Sequence, residues 1–223
     1  MEKLAKKHVV IAPDYPPVLS IVDLFAGLDA ILQAENITSF ILGGQSYGGI
    51  LAQAYLAHKV DKVEKLILSS TGPVNAIGKA WSPVLNAITA FMRILPEKML
   101  RQMFSKELNK HIDVPESERA EWLEIIGKII QNDLTRFDVL SHFTVAVDII
   151  KKGIVTPAAY RNWTGCVIVL SAENDPTQRK SDLPRYEQLF NRPVKVLNLG
   201  KLGHTAALFD PDKYVDLLER ELD

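Results

Sequence analysis

The chain has 223 residues, 47% of them apolar and 24% charged, with a formal net charge of −1. That length suits one domain with room for an inserted subdomain, and the near-neutral balance excludes a strongly basic surface for nucleic acid or anionic lipid. After the charged start, only four apolar residues (9–12) precede Pro13, too few for a signal peptide or a membrane span.

Residues 8–12 read as a first strand, closed by the turn-forming run Pro13-Asp14-Tyr15-Pro16-Pro17. Ser20 is placed to cap a helix over 21–35, where Ile21, Leu24, Phe25, Leu28, Ile31 and Leu32 recur at helical spacing. A second strand is expected over 39–42, a helix over 47–58 and a third strand over 63–69, ended by Gly72-Pro73. Fourth and fifth strands are expected over 166–171 and 194–199, with helices over 184–190 and 212–222. Cys166, the only cysteine, lies in the apolar run 166–170 and is expected to be a buried small hydrophobe. It has no internal disulfide partner, which favours a reducing, cytoplasmic setting. Apolar, non-alternating strands separated by helices indicate an α/β fold: a mostly parallel sheet covered by helices on both faces.

Residues 74–163 break that rhythm, with helical stretches expected at 81–95, 97–109, 117–132, 134–152 and 157–163 and no convincing strand. They form a helical cap inserted into a core made of residues 1–73 and 164–223. Its apolar residues Trp81, Phe91, Met92, Met99, Met103 and Phe104 either pack among the cap's own helices or line a substrate pocket beneath a lid.

Gly44-Gln45-Ser46-Tyr47-Gly48 fits G-x-S-x-G between an expected strand and an expected helix, the context in which the pattern presents a serine for chemistry. A reversal that sharp calls for a positive φ at Ser46 and for glycines at 44 and 48, where side chains would collide with the neighbouring strand and helix. A serine hydroxyl needs a base. Of five histidines, His204, in the small-residue loop Gly203-His204-Thr205-Ala206, follows the fifth strand and best meets that need. The loop after the fourth strand, Ser171-Ala172-Glu173-Asn174-Asp175-Pro176, offers Asp175 as the orienting acid, with Glu173 as runner-up. The order Ser46, Asp175, His204 is the one this type of site requires.

Those residues, with the helical insertion, resemble the α/β-hydrolase superfamily over nearly the whole chain, and residues 10–17, running quickly into a helix and the elbow, also resemble its maspardin branch. The resemblance implies serine hydrolysis of an ester, amide or related acyl substrate. Ser46 would be the nucleophile, His204 the general base and acid, and Asp175 the orienting anion. The Tyr47 N–H would be an oxyanion donor and Gln45 would lie beside the substrate. No metal or organic cofactor is implied. The partner is a small acyl molecule, and a homo-oligomer or a protein partner stays open.

In that family the strands before the one resembling residues 8–12 carry a loop with a second oxyanion donor; here they are absent, as in a short form, a misassigned start or a fragment. Two consequences are expected. Strands 8–12 and 39–42 close up as neighbours, and the chain is a weak hydrolase at best or a non-catalytic, protein-binding module on the same scaffold.

Overall fold

The computed structural model describes residues 2–76 and 78–222; Met1, Ile77 and Asp223, which fall within the core and cap boundaries above, lie outside the described residues. Four strands form one parallel sheet in the order β1 (Phe40–Gln45), β2 (Val63–Ser69), β3 (Cys166–Ala172) and β4 (Val194–Gly200). The helices are α1 (Glu2–Ala5), α2 (Ile21–Ala34), α3 (Tyr47–His58), α4 (Ser82–Ile94), α5 (Glu97–Asn109), α6 (Glu116–Asn132), α7 (Arg136–Lys152), α8 (Asp182–Phe190), α9 (Ala206–Phe209) and α10 (Pro211–Leu222).

Successive side chains of a strand point to opposite faces, and both faces of this sheet are apolar. Leu66, Leu68, Val167 and Val169 pack with Ile21, Leu51, Leu56, Tyr186 and Phe190 of α2, α3 and α8. Ile67, Ile168 and Leu170 pack with Leu199 and, from α10, Tyr214, Leu217 and Leu218. Two covered faces explain the uninterrupted apolar runs at 66–68 of β2 and 166–170 of β3. The α4–α7 segment has its own small core of Met92, Leu95, Leu100, Val139 and Leu140. Helix α7 also reaches the main core through Val145 and Ile149. It begins with a capping box in which the Thr135 hydroxyl accepts from Asp138 N–H and the Asp138 carboxylate accepts from Thr135 N–H.

Several expectations are corrected. Residues 8–12 are not a strand: the whole stretch from 8 to 18 is irregular, Val9 is 87% exposed, and no ladder joins it to β1. A strand exists only through its partners, and this segment runs past β1 without pairing; it is tied instead to α7, where Ser141 Oγ accepts from Val18 N–H at 3.1 Å and Asp148 Oδ2 from Ile21 N–H at 3.0 Å. The two strands therefore do not close up, and β1 is an edge strand bordered by a 190 Å³ cavity between Ile11, Pro13 and Tyr15 on one side and Leu42, Gly43 and Leu51 on the other. Residues 157–163 form consecutive turns rather than a helix, with bonds such as Tyr160 N–H to Pro157 O spanning only three residues. Tertiary contacts hold that segment: the Tyr160 hydroxyl donates to Gln53 O and Trp163 Nε1 to Val63 O. Cys166 is exposed, because it is the first residue of β3 and lies outside the covered part of the sheet. Phe91, Trp81, Met99 and Met103 are exposed, whereas Met92 is in the α4–α7 core and Phe104 packs against it.

Candidate active site

The chain leaves β1 at Gln45, turns at Ser46 and enters α3 at Tyr47. Ser46 has φ 51° and ψ −117°, a strained region for a residue with a Cβ. Its N–H donates to Ser69 O of the adjoining β2 at 2.9 Å, and its carbonyl accepts from Gly49 and Ile50 N–H at 3.0 and 3.3 Å, which starts the helix. The Tyr47 N–H belongs to the first turn, whose donors a helix leaves free. Glycine is needed at 44, where a Cβ would lie 2.6 Å from the carbonyl carbon of Gly48. The second tight position is Gly49, whose Cβ would lie 2.8 Å from Thr71 Cβ; at Gly48, contrary to expectation, the space is open. The crossing of α3 over the strand ends occurs one residue later than the five-residue pattern implies.

His204 lies between β4 and α9 and Asp175 in the loop after β3, both at the end of the sheet where Ser46 emerges. Ser46 Oγ is 3.1 Å from His204 Nε2, and His204 Nδ1 is 3.1 Å from Asp175 Oδ1. An ionised carboxylate only accepts, so Nδ1 carries the ring proton and Nε2 accepts from the serine hydroxyl. Asp175 and His204 are both buried. Burial opposes ionisation of Asp175, but hydrogen bonds from His204 and from the Thr177 hydroxyl and N–H outweigh it and hold the carboxyl at about 2. The runner-up Glu173 is exposed, and its backbone N–H donates to Gly200 O at 2.8 Å. The structure thus brings Ser46, His204 and Asp175 together and leaves Glu173 at the surface.

A family model for the alpha/beta hydrolase fold matches residues 13–211. The chain belongs to that family. No curated protein matches the sequence. Among solved structures, this chain is similar to a hydrolase from Pseudomonas aeruginosa, at 14% identity and TM-score 0.65, over 94% of this chain and 73% of that one. It is similar to an enol-lactonase from Burkholderia xenovorans at 14% identity and TM-score 0.63, over 94% and 74%. A marine microorganism esterase matches at 17% identity and TM-score 0.57, over 92% and 78%.

Around the three residues lie further partners, among them Thr177 and Ser70, which the sequence does not single out. Thr177 Oγ1 lies 2.6 Å from Asp175 Oδ1 and 3.1 Å from His204 Nδ1, and its N–H donates to Asp175 Oδ1 at 2.9 Å. The only signal for it is the two-residue offset at which an Asp side chain accepts from its own backbone. The His204 carbonyl accepts from Gln45 Nε2 at 3.0 Å and from Ser70 Oγ at 3.2 Å. Gln45 therefore braces the histidine loop through its amide nitrogen. The Tyr47 ring stacks on His142 of α7, with centroids 3.9 Å apart, and Phe104 of α5 meets His142 edge-on at 5.5 Å. Burial pushes His142 down to about 4, so it is neutral near pH 7, and pushes the Tyr47 phenol up. Residues of the 74–163 segment thus stand directly beside the elbow. Among the described residues no cluster of three or more His, Cys, Asp or Glu side chains could hold a metal ion, and no helix is long and apolar enough to cross a membrane.

Proposed function

We propose that this α/β hydrolase is a serine hydrolase acting on an ester, amide or related acyl substrate, with Ser46 as nucleophile, His204 as general base and acid, and Asp175 as the anion that orients His204. The observation that carries this reading is the continuous relay from Ser46 Oγ through both nitrogens of His204 to Asp175. Ser46 Oγ attacks the acyl carbon while its proton passes to Nε2, and the carbonyl oxygen becomes an oxyanion facing the free Tyr47 N–H at the start of α3. The oxyanion collapses, and the leaving oxygen or nitrogen departs with the proton from Nε2, leaving an ester on Ser46. Water then attacks that ester, gives a proton to Nε2, and releases the acid as Ser46 recovers its hydrogen. Asp175, ionised far below neutral pH, stabilises the imidazolium in both halves. The cap is the 74–163 segment over the elbow, and a cytoplasmic setting rests on the lone cysteine.

A second reading is a catalytically weak scaffold that binds protein, in the manner of the maspardin branch. It is favoured by the outer edge of β1, which pairs with no described strand and so leaves backbone donors and acceptors that a partner chain can join. One experiment separates the two. A fluorophosphonate probe should form an adduct on Ser46, located by mass spectrometry of the labelled peptide, and Ser46→Ala should lose both the adduct and turnover of an activated ester while staying folded. Folded wild-type chain that takes up no probe would favour the binding module.

A further inference from the structure

The loop between α5 and α6, residues 110–115, is seated on the His204 loop. Thr205, next to His204, holds it by both backbone groups of Asp113: the Thr205 hydroxyl accepts from Asp113 N–H at 2.9 Å and donates to Asp113 O at 2.7 Å. The approach is close enough that a Cβ at Gly203 would lie 2.6 Å from Asp113 Cβ, so glycine there makes room for the loop. The loop has its own support, because Arg119 donates to Ile112 O at 2.6 Å and to Asn109 O at 3.3 Å, and Ile112 is buried. This support puts the His111 ring against the His204 ring, with centroids 5.0 Å apart and planes inclined by 43°. His111 Nε2 is 3.6 Å from Glu107 Oε1 on α5.

We propose that His111 is a positioning residue for His204: its ring, held by the 110–115 loop, packs against the imidazole and keeps it in line between Ser46 and Asp175. The inference rests on the serine-hydrolase reading for its kinetic consequence, though not for its structural one. His204 has in-plane bonds at both nitrogens, and those bonds leave it free to rock about the line joining them. A ring on one side blocks that motion toward it, and the Thr205–Asp113 pair fixes how far the blocking ring stands off. Small misplacements of a reacting group are costly, with about 1 Å costing up to a hundredfold.

The test uses the full chain with His111→Ala, His111→Phe and Thr205→Val. The first variant removes the ring, the second keeps a ring of similar size, and the third releases the loop while leaving His111 in place. Expected results are a fall of about tenfold in kcat with KM nearly unchanged for His111→Ala and Thr205→Val, and rescue to within about threefold of wild type in His111→Phe. The second readout is the NMR resonance of the His204 Nδ1 proton, assigned by its loss in Asp175→Asn. It should broaden or move in His111→Ala and return in His111→Phe. That resonance needs no turnover, so it answers even if Ser46 never labels with fluorophosphonate. Unchanged kcat and an unchanged resonance in His111→Ala would overturn the proposal. A His111→Phe variant as impaired as His111→Ala would also overturn it, by assigning the effect to the His111 nitrogens rather than to its ring.

Discussion

Ser46 is held at φ 51° by contacts on both sides: its N–H on β2 and its carbonyl at the start of α3. The strain was foreseeable from G-x-S-x-G between strand and helix, because only a tight reversal joins the two in so few residues. His204 and Asp175 were legible from their loops, each following a strand of the same parallel sheet and so emerging at the same end. Thr177 was not legible, since a threonine two residues after an aspartate is common in turns and carries no separate mark. The orienting role proposed for Asp175 makes a residue-level prediction. Asp175→Asn should lower kcat on an activated ester by roughly a thousandfold to ten-thousandfold, because the neutral amide no longer fixes the Nδ1–H tautomer or stabilises the imidazolium. Glu173→Gln, at an exposed side chain, should stay within about twofold. The opposite ranking would transfer the role to Glu173.

At the level of elements, the glycines of the elbow separate by what surrounds them. Gly44 faces the backbone of Gly48, which cannot yield without moving the start of α3. Gly44→Ala is therefore expected to lower unfolding free energy by about 1–3 kcal/mol, the usual cost of overpacking, and to reduce turnover with it. Gly48 faces open space, so Gly48→Ala should change stability by less than about 1 kcal/mol and leave the fold intact, its helical position favouring alanine. Urea unfolding of the two variants checks both values. A comparable cost at each site would mean that α3 sits closer to the sheet than the structure has it. The failed strand at 8–12 belongs to the same scale. Its apolar run was read as a strand, but a segment becomes a strand only when a neighbour accepts its hydrogen bonds, and the pattern of one segment carries no information about that neighbour.

For the whole molecule, buried ionisable groups tie stability to pH. His142 in the folded chain titrates near 4, below its ordinary value of 6.5. The unfolded chain therefore binds more protons between those values, so the stability gained by keeping this ring neutral is complete above about 6.5 and is lost as pH falls to about 4. The loss is on the order of 3 kcal/mol. Asp175 and Asp29, both held at about 2 against 3.8, add a second loss below pH 3.8 as the carboxylates take up protons. Thermal denaturation across pH should show two declines, and His142→Phe should remove the upper one; a His142→Phe curve that still falls between pH 6.5 and 4 would reassign it. The sequence by itself determined the α/β class, four of the five expected strands, eight of the helices to within a few residues, and the three residues of the relay, because periodicity and turn residues act locally and a parallel sheet sends every strand end to one side. Tertiary structure alone decided that β1 is an edge, that the 157–163 segment is turns pinned by Tyr160 and Trp163, and that His111 and His142 of the inserted segment come to rest on His204 and Tyr47. Those outcomes depend on contacts between residues more than ninety positions apart, and the free energy that selects them comes from the packing of surfaces that no single stretch of the chain contains.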